Sequence, residues 1–311
     1  MKKTEISIVV PVFNEKESLH MLFKGIEQAM ADIKKEYEYI FIDDGSSDGS
    51  FDALRALKKQ TSINMTIIRF RKNMGKSPAL SAGFQHAGGD VIVTMDADLQ
   101  DDPAEIPGLI RILDSGYDMV VGWRKKRNDM QGKIRLSRIF NFIVSQVSHV
   151  PLHDMNCGLK VFRKSVAEEI DLYGELHRFV PVLAAGKGFK VTEAVVAHHE
   201  RKFGSSKFGS SRIIHASFDL ITTVFLNSFK TRPLQIFGPI GLVCVGLGII
   251  SLVYLTYIHF LGVSIGRRPL LQLGVLFILF GVQLFSTGLI GELVTSQNAR
   301  KEIYPIDEVV T

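Results

Sequence analysis

Asp96-Ala97-Asp98 sets two carboxylates one residue apart, directly after the apolar run Val91–Met95 and just before Gln100. Side chains on an extended chain alternate with period two, so both acids fall on one side of it. Paired hard oxygen donors suit Mg²⁺ or Mn²⁺, ions that retain waters and share ligands with substrate phosphates. A cation held there would neutralise a pyrophosphate and stabilise the charge that builds on it as it leaves. The stretch Asp90–Glu105 holds six acids and no Lys or Arg, which also fits a solvated acidic loop. The preceding apolar run favours the cation site, because it places the carboxylates at the end of a strand.

Other polar clusters occupy equivalent places. Asn14-Glu15 follows Ile6–Phe13, Asp43-Asp44-Gly45-Ser46 follows Tyr39–Ile42, Arg71-Lys72-Asn73 follows Met65–Phe70, and Gly122-Trp123-Arg124 follows Met119–Val121. Between these runs lie segments of helical character: Glu17–Lys35, Ser50–Lys59, Lys76–Ala87 and Pro103–Asp114. Strands alternating with helices predict an α/β fold with a mostly parallel sheet and helices on both faces. In such sheets ligands bind beyond the carboxyl ends of the strands. Each cluster alone fits a turn or cap; five on one edge fit an active site. After Arg124 the pattern loosens. Ile134–Val150 reads as a helix, Gly158–Arg163 as a strand, Phe179–Gly188 as a helix and Val191–His198 as a strand. Arg201–Ser211 reads as a basic loop rich in Gly and Ser.

The chain has 311 residues, 46% apolar and 22% charged, which allows a substantial core and excludes wholesale disorder. Mean hydropathy is positive at +0.16 although 69 residues are charged, so the apolar excess must be concentrated. Pro233–Gly266 is 34 residues without a formal charge, and after Arg267-Arg268 come 23 more, Pro269–Gly291. At 1.5 Å per residue either stretch as a helix exceeds a bilayer core of about 30 Å. A two-helix transmembrane hairpin is therefore expected, about 233–262 and 269–293. The glycines within it would permit close helix packing. Residues 1–210 are expected to form the catalytic domain, 211–232 an amphipathic helix in the bilayer interface, 233–294 the hairpin and 295–311 a cytoplasmic tail. The run Ile6–Phe13 is cut by Asn14 and Glu15, too short for a signal core, so the large domain is expected on the cytoplasmic side of the plasma (inner) membrane. Lys230, Arg232, Arg300 and Lys301 agree with that orientation, and Arg267 and Arg268 oppose it. Cys157 and Cys244 offer no disulfide framework. The whole chain is net +5, but Gly122–Arg138 and His198–Arg232 together carry +10, so the rest of the part before Pro233 is net acidic. The second of these windows adjoins the expected membrane anchor, which argues against nucleic acid.

Val10-Pro11-Val12-Phe13-Asn14-Glu15, Ile42-Asp43-Asp44-Gly45-Ser46-Ser47-Asp48-Gly49, Asn73-Met74-Gly75-Lys76 and Asp96-Ala97-Asp98-Leu99-Gln100-Asp101-Asp102-Pro103 together resemble the family 2 glycosyltransferases of GT-A fold. Gly122-Trp123-Arg124, Asp154-Met155-Asn156-Cys157-Gly158 and the Arg201–Lys207 loop narrow the resemblance to polyprenyl-phosphate glycosyltransferases, the bactoprenol glucosyltransferases and dolichol-phosphate mannose synthases. It covers the chain to about Asn298.

The resemblance implies roles position by position. Pro11, Phe13, Glu15, Asp43, Asp44, Gly75, Lys76, Asp96 and Ala97 would bind the nucleotide-sugar donor. Phe13 stands where the family often has Tyr. Asp96, Asp98 and Gln100 would hold Mg²⁺ or Mn²⁺. Arg124, Arg138, Arg201 and Lys207 would bind the acceptor phosphate, the last two on a loop that closes over it. Asp98, Asp154 and Arg124 would serve catalysis. For Asp154 three readings stand: orienting the acceptor, binding a sugar hydroxyl, or capping a turn with Asn156. His153, His198 and His199 read as structural, since their spacing closes no metal site.

The implied reaction is inverting transfer of a hexose, first of all glucose from UDP-glucose, onto undecaprenyl or a similar polyprenyl phosphate, for modification of an envelope glycan such as O-antigen or lipopolysaccharide. A synthase using GDP-mannose and an aminoarabinose transferase are the alternatives. Polysaccharide synthases add Gln-x-x-Arg-Trp, and the single tryptophan here, Trp123, precludes that motif. A non-catalytic membrane scaffold is the alternative of another class, opposed by the joint presence of Asp96, Asp98, Gln100 and Arg124. Glycine-rich spans also lead to the expectation of a homo-oligomer, up to a tetramer.

Overall fold

The structure, a computed structural model, describes residues 4–125, 152–172, 174, 176–200, 234–266, 268–297 and 306–310. Strands and helices alternate nearly where the apolar runs place them: β1 (Ile6–Val12), α1 (Lys16–Met30), β2 (Tyr37–Asp43), α2 (Ser50–Lys58), β3 (Met65–Phe70), α3 (Lys76–His86) and β4 (Val91–Thr94). A 3-10 turn at Pro103–Glu105 leads into α4 (Ile106–Asp114) and β5 (Met119–Trp123). Then come β6 (Lys160–Arg163), α5 (Lys164–Glu169), a 3-10 turn at Leu176–Arg178, α6 (Val180–Gly186) and β7 (Val191–Val195). Last are α7 (Leu234–Phe260), α8 (Pro269–Gln297) and β8 (Ile306–Val310). The expected helices over 134–150 and 213–229 and the basic loop 201–211 lie outside the described residues.

The strands form one sheet in the order β7-β5-β6-β4-β1-β2-β3-β8. β1 runs parallel to β2 and β4, β2 parallel to β3, and β5 parallel to β7. β6 runs antiparallel between β4 and β5, and β8 antiparallel along β3. Parallel strands covered on both faces are apolar in runs, because neither side meets water. Accordingly Ile8, Val9 and Val10 of β1 and Tyr39–Ile42 of β2 have no exposed surface. α1 turns Leu19, Leu22, Phe23, Ile26 and Met30 inward, the three-and-four spacing of a helix stripe. Gly83 lets α3 lie close on the sheet, since a Cβ there would collide with Val9 and Ile42. Burial of a side chain such as Ile8 contributes about 1.5–3 kcal/mol, and cutting it to Ala would cost about 2–5 kcal/mol.

The reversed strand matters for function. Because β6 is antiparallel, with Lys160 opposite Thr94 of β4 and Val121 of β5, the chain entering it lies at the carboxyl edge of its neighbours. Cys157 and Gly158 thereby reach the same edge as Asp96 and Arg124. β8 adds a strand in the segment expected only as a tail; period-two reasoning gave it no partner.

The chain divides into two compact units, Met1–Val224 with Ile303–Thr311 and Phe225–Glu302. In the second, α7 and α8 contain Phe237–Phe260 and Pro269–Gly291, 24 and 23 residues with mean hydropathy 2.1, long and apolar enough to cross a membrane. The two helices meet through glycines: a Cβ on Gly241 would lie 2.7 Å from the Gly281 carbonyl oxygen, and one on Gly248 2.7 Å from that of Gly274. Such close backbone approach is how helices pair where no water drives them together. Leu242, Ile250, Tyr257, Leu276 and Ile290 face outward.

Candidate active site

The loops after β1 and β2 are sewn together by helix-capping groups. Asn14 sits at φ 52°, a left-handed conformation Asn tolerates. Its N–H donates to Ser46 Oγ at 2.9 Å and its Oδ1 accepts from the Ser47 N–H at 2.8 Å. The first N–H groups of a helix have no partner within it. Those of α1 find theirs in the neighbouring loop, Glu15 N–H on Ser50 Oγ and Lys16 N–H on Asp48 Oδ2, both at 3.0 Å. The half-buried Pro11, Phe13 and Glu15 are thus held beside the end of β2, where Val12 registers with Asp43.

Asp43 is fully buried. Its Oδ1 accepts from the Ser46 N–H at 3.3 Å, and Oδ2 lies 3.6 Å from Arg69 Nε with no hydrogen-bond partner among the described residues. Burial raises its pKa against the pull of Ser46 and Arg69. A buried carboxylate oxygen without a donor is costly, and it suits a ligand N–H. Asp44 is otherwise engaged: Oδ1 accepts from Met74 N–H at 2.6 Å and Oδ2 from Gly75 N–H at 2.9 Å. Burial pushes its carboxyl up to about 6, although both bonds favour the ionised form. Gly45 (φ 69°) completes the junction, since a Cβ there would stand 2.5 Å from the Lys72 carbonyl carbon. Together they pin the Asn73–Lys76 loop in place.

That loop delivers Lys76 to the acidic pair. Lys76 Nζ lies 2.5 Å from Asp96 Oδ1. Burial alone would raise Asp96, yet Lys76, with Lys160 and Arg124 behind, holds its carboxyl below the usual range. Ala97 is buried, and Asp98 Oδ1 accepts from the Gln100 N–H at 3.2 Å around Leu99, which is held at φ 61°. A left-handed leucine is a strained conformation of the kind that gathers at functional sites. The rest of the acidic run does structural work. Asp101 is buried and accepts from the Leu159 N–H at 3.1 Å, with Cys157 Sγ at 3.7 Å and His198 Nδ1 at 3.7 Å. Asp102 caps the 3-10 turn at Ala104 N–H, 2.9 Å, and pairs with His199 Nε2 at 3.0 Å. Gly158 presses on both groups: a Cβ there would lie 2.6 Å from Asp96 Cγ and 2.9 Å from Asp101 Oδ2.

Arg124, just past β5, grips Asp154 with Nε on Oδ2 at 2.6 Å and Nη2 on Oδ1 at 2.9 Å. Burial would lower the guanidinium's pKa, but Asp154 reverses this and keeps it charged. Beside the pair, Trp123 stacks on His153 with ring centroids 4.1 Å apart, and Glu193 holds His153 through its Nδ1 and its N–H. Lys160 is 6% exposed and donates from Nζ to the Cys157 carbonyl. Burial first, and the Lys76 charge second, bring its pKa down to about 8. Burial pushes the Cys157 thiol well up, which favours the protonated form.

The structure therefore joins the sequence-derived clusters into one chain of contacts along the carboxyl edge, from Asn14 through Asp43, Asp44, Gly75, Lys76, Asp96 and Gly158. Arg138, Arg201 and Lys207 lie outside the described residues. Sequence reasoning missed Asp101 and Lys160; a lysine inside the run Gly158–Phe162 was the available signal. It also left Asp154 among three readings, to which the Arg124 pair adds a firm anchor.

Among the described residues no three His, Cys, Asp or Glu side chains converge as a closed metal cage. Asp98 and Gln100 on one strained turn, next to Asp96, instead offer a few hard oxygens in an open arrangement. That donor set fits an ion that keeps waters and shares a substrate's phosphates.

Residues 7–171 match the family model "Glycosyl transferase family 2", and residues 232–296 match "GtrB C-terminal hairpin". The dodecaprenyl-phosphate galacturonate synthase of Rhizobium johnstonii is 36% identical over 313 residues, covering 98% of this chain and 92% of that protein. An undecaprenyl-phosphate 4-deoxy-4-formamido-L-arabinose transferase of Sodalis glossinidius is 34% identical, covering 94% and 89%. Among solved structures, the glucosyl-3-phosphoglycerate synthase of Mycobacterium tuberculosis with Mn²⁺, UDP-glucose and phosphoglyceric acid superposes with a TM-score of 0.55 at 15% identity, over 72% of this chain and 79% of that one. At that identity the likeness concerns the fold.

Proposed function

The chain belongs to glycosyl transferase family 2, among its polyprenyl-phosphate glycosyltransferases, and from that premise we propose that it moves a sugar from a UDP-linked donor onto undecaprenyl or a similar polyprenyl phosphate, with a divalent cation held by Asp98 and Gln100 beside Asp96. The observation that carries this reading is the meeting of Lys76 and Asp96 at 2.5 Å, on the edge that also bears Asp98, Gln100 and the Arg124–Asp154 pair. The unpartnered Asp43 Oδ2 accepts an N–H of the donor's base, and Pro11, Phe13 and Glu15 wall the same end of the sheet. When bound, the cation supplies positive charge to the leaving diphosphate.

A phosphate monoester has a second pKa of about 6, so the acceptor arrives largely dianionic and is already a nucleophile. No general base is needed, and one in-line displacement inverts the anomeric carbon. The difficulty is bringing one anion up to another. Arg124 faces that task with its charge fixed, while its grip on Asp154 sets the carboxylate that orients the acceptor or a sugar hydroxyl. A guanidinium fork suits both partners in a way an ammonium does not. The apolar hairpin confines the chain to the membrane in which a polyprenyl phosphate resides, and the catalytic unit works on its cytoplasmic side.

Glucose is the first expected sugar. Two relatives carry galacturonate and 4-deoxy-4-formamido-L-arabinose in their names, which supports those donors equally. A donor screen tests the reading: purified full chain, Mn²⁺, undecaprenyl phosphate and each nucleotide sugar, with the lipid product weighed by mass spectrometry. A UDP-sugar should give a lipid-phosphate glycoside, and turnover of GDP-mannose alone would reject the donor assignment.

A further inference from the structure

Lys160 has no task in the reaction above, yet it is a lysine with 6% of its surface exposed. It opens β6, with Thr94 and Val121 as its register partners, and its Nζ donates to the carbonyl of Cys157. Ammonium groups are seldom buried without a counter-charge. The carboxylate that shares its small cavity is Asp96, together with Lys76, Thr94 and Gly158. Asp96 thus feels two ammonium groups: Lys76, in direct ion-pair contact and with 30% of its side chain exposed, and the buried Lys160, which lines the same cavity and acts on it through the field without an ion pair within 4 Å. A single positive charge neutralises one carboxylate. The second is surplus, and it is the outer one, on the loop that Asp44 pins, that can reach a ligand.

We propose that Lys160 is a positioning residue, the permanent counter-ion of Asp96, whose presence releases Lys76 to meet the diphosphate of the nucleotide donor. This rests on the donor reading given above. Without Lys160, Asp96 is left with its ion-pair partner Lys76 and with Arg124, which Asp154 already engages, so it keeps Lys76 and the donor loses a contact made by another residue.

The test is calorimetric binding of UDP with Mn²⁺ present to the detergent-purified full chain and to Lys160→Met, Lys76→Met and the double variant, with thermal melts alongside. Each single variant should weaken UDP binding about ten-fold, and the double variant should bind no more than about two-fold more weakly than Lys76→Met, because contacting groups are non-additive. Wild-type affinity in Lys160→Met, or losses that multiply in the double variant, would overturn the proposal. Lys160→Gln, which keeps a donor for the Cys157 carbonyl but no charge, carries the test if Lys160→Met melts below the assay temperature. Weakened binding then supports the proposal, and unchanged binding contradicts it. If the unaltered protein fails to bind UDP, the donor reading falls first and this inference with it, whereas tight wild-type binding with an indifferent Lys160 removes the inference alone.

Discussion

Arg124 holds Asp154 through two parallel hydrogen bonds of 2.6 and 2.9 Å, with 11% and 3% of the two side chains exposed. An arginine expected to await an acceptor phosphate is thus already committed, by two of its nitrogens, to a carboxylate of the same protein.

Removing one member of such a pair leaves the other charged, buried and unpaired, at a cost of about 3–5 kcal/mol, whereas replacing both by apolar groups is often neutral. Asp154→Ala should therefore unfold at markedly lower denaturant than the double variant Arg124→Met with Asp154→Leu. Unfolding of the solubilised protein checks this. Equal stability in the two would mean that the pair is not a buried unit. Both variants should be inactive, since either way the oriented carboxylate is lost.

Asp44 gives a pH signature. Its folded-state pKa is raised by burial to about 6 from 3.8. An acid that holds its proton more tightly when folded favours the folded state at low pH and loses that advantage as pH rises from about 4 through 6. By linkage the span amounts to about 3 kcal/mol. The stability difference between wild type and Asp44→Asn should shift by that order across this window, against the wild type as pH climbs, and stay flat above it. A flat difference throughout would show that the carboxylate is as well solvated in the fold as outside it.

Gly158→Ala separates activity from folding. The new Cβ would sit 2.6 Å from Asp96 Cγ, and the backbone there needs no glycine conformation. The carboxylate must move away, and under the proposed function it lines the donor site, where a displacement of about 1 Å can cost about a hundred-fold in rate. Because Asp101 is crowded as well, a stability loss of about 1–3 kcal/mol is expected. A fall in kcat much larger than that loss explains, at a temperature where the variant is still folded, is the expected result, read by steady-state kinetics and a thermal melt.

Much of this was legible in the sequence for a definable reason. β1–β4 are apolar in unbroken runs because both faces of the sheet are covered, and each run ends in residues that cap, turn or ligate. Asp43 and Asp96 could therefore be placed on one edge from the sequence, whereas Lys76 came to the site only through the family resemblance. Strand direction leaves no such mark: Lys160–Arg163 reads as a strand, but nothing in its residues says that it runs backwards and so brings Gly158 to Asp96. β8 was illegible because an edge strand is defined by its partner, here β3, and the paired residues Val310 and Ile67 stand 243 positions apart in the chain. The acidic run hid a division of labour for a similar reason. Asp96 and Asp98 stay at the rim, where Lys76 meets Asp96, while Asp101 and Asp102 brace the backbone and His199, a distinction made by distant residues that only the fold brings near.

The most direct test of the central claim is transfer of radiolabelled sugar from the UDP donor selected by the screen into lipid-extractable undecaprenyl phosphate, in Mn²⁺, by wild type and Asp98→Ala. The wild type should label the lipid, chelation should stop it, and Asp98→Ala should remain folded in detergent and label nothing. Undiminished labelling by Asp98→Ala with metal present would contradict the assignment of this edge as the cation-assisted site of transfer.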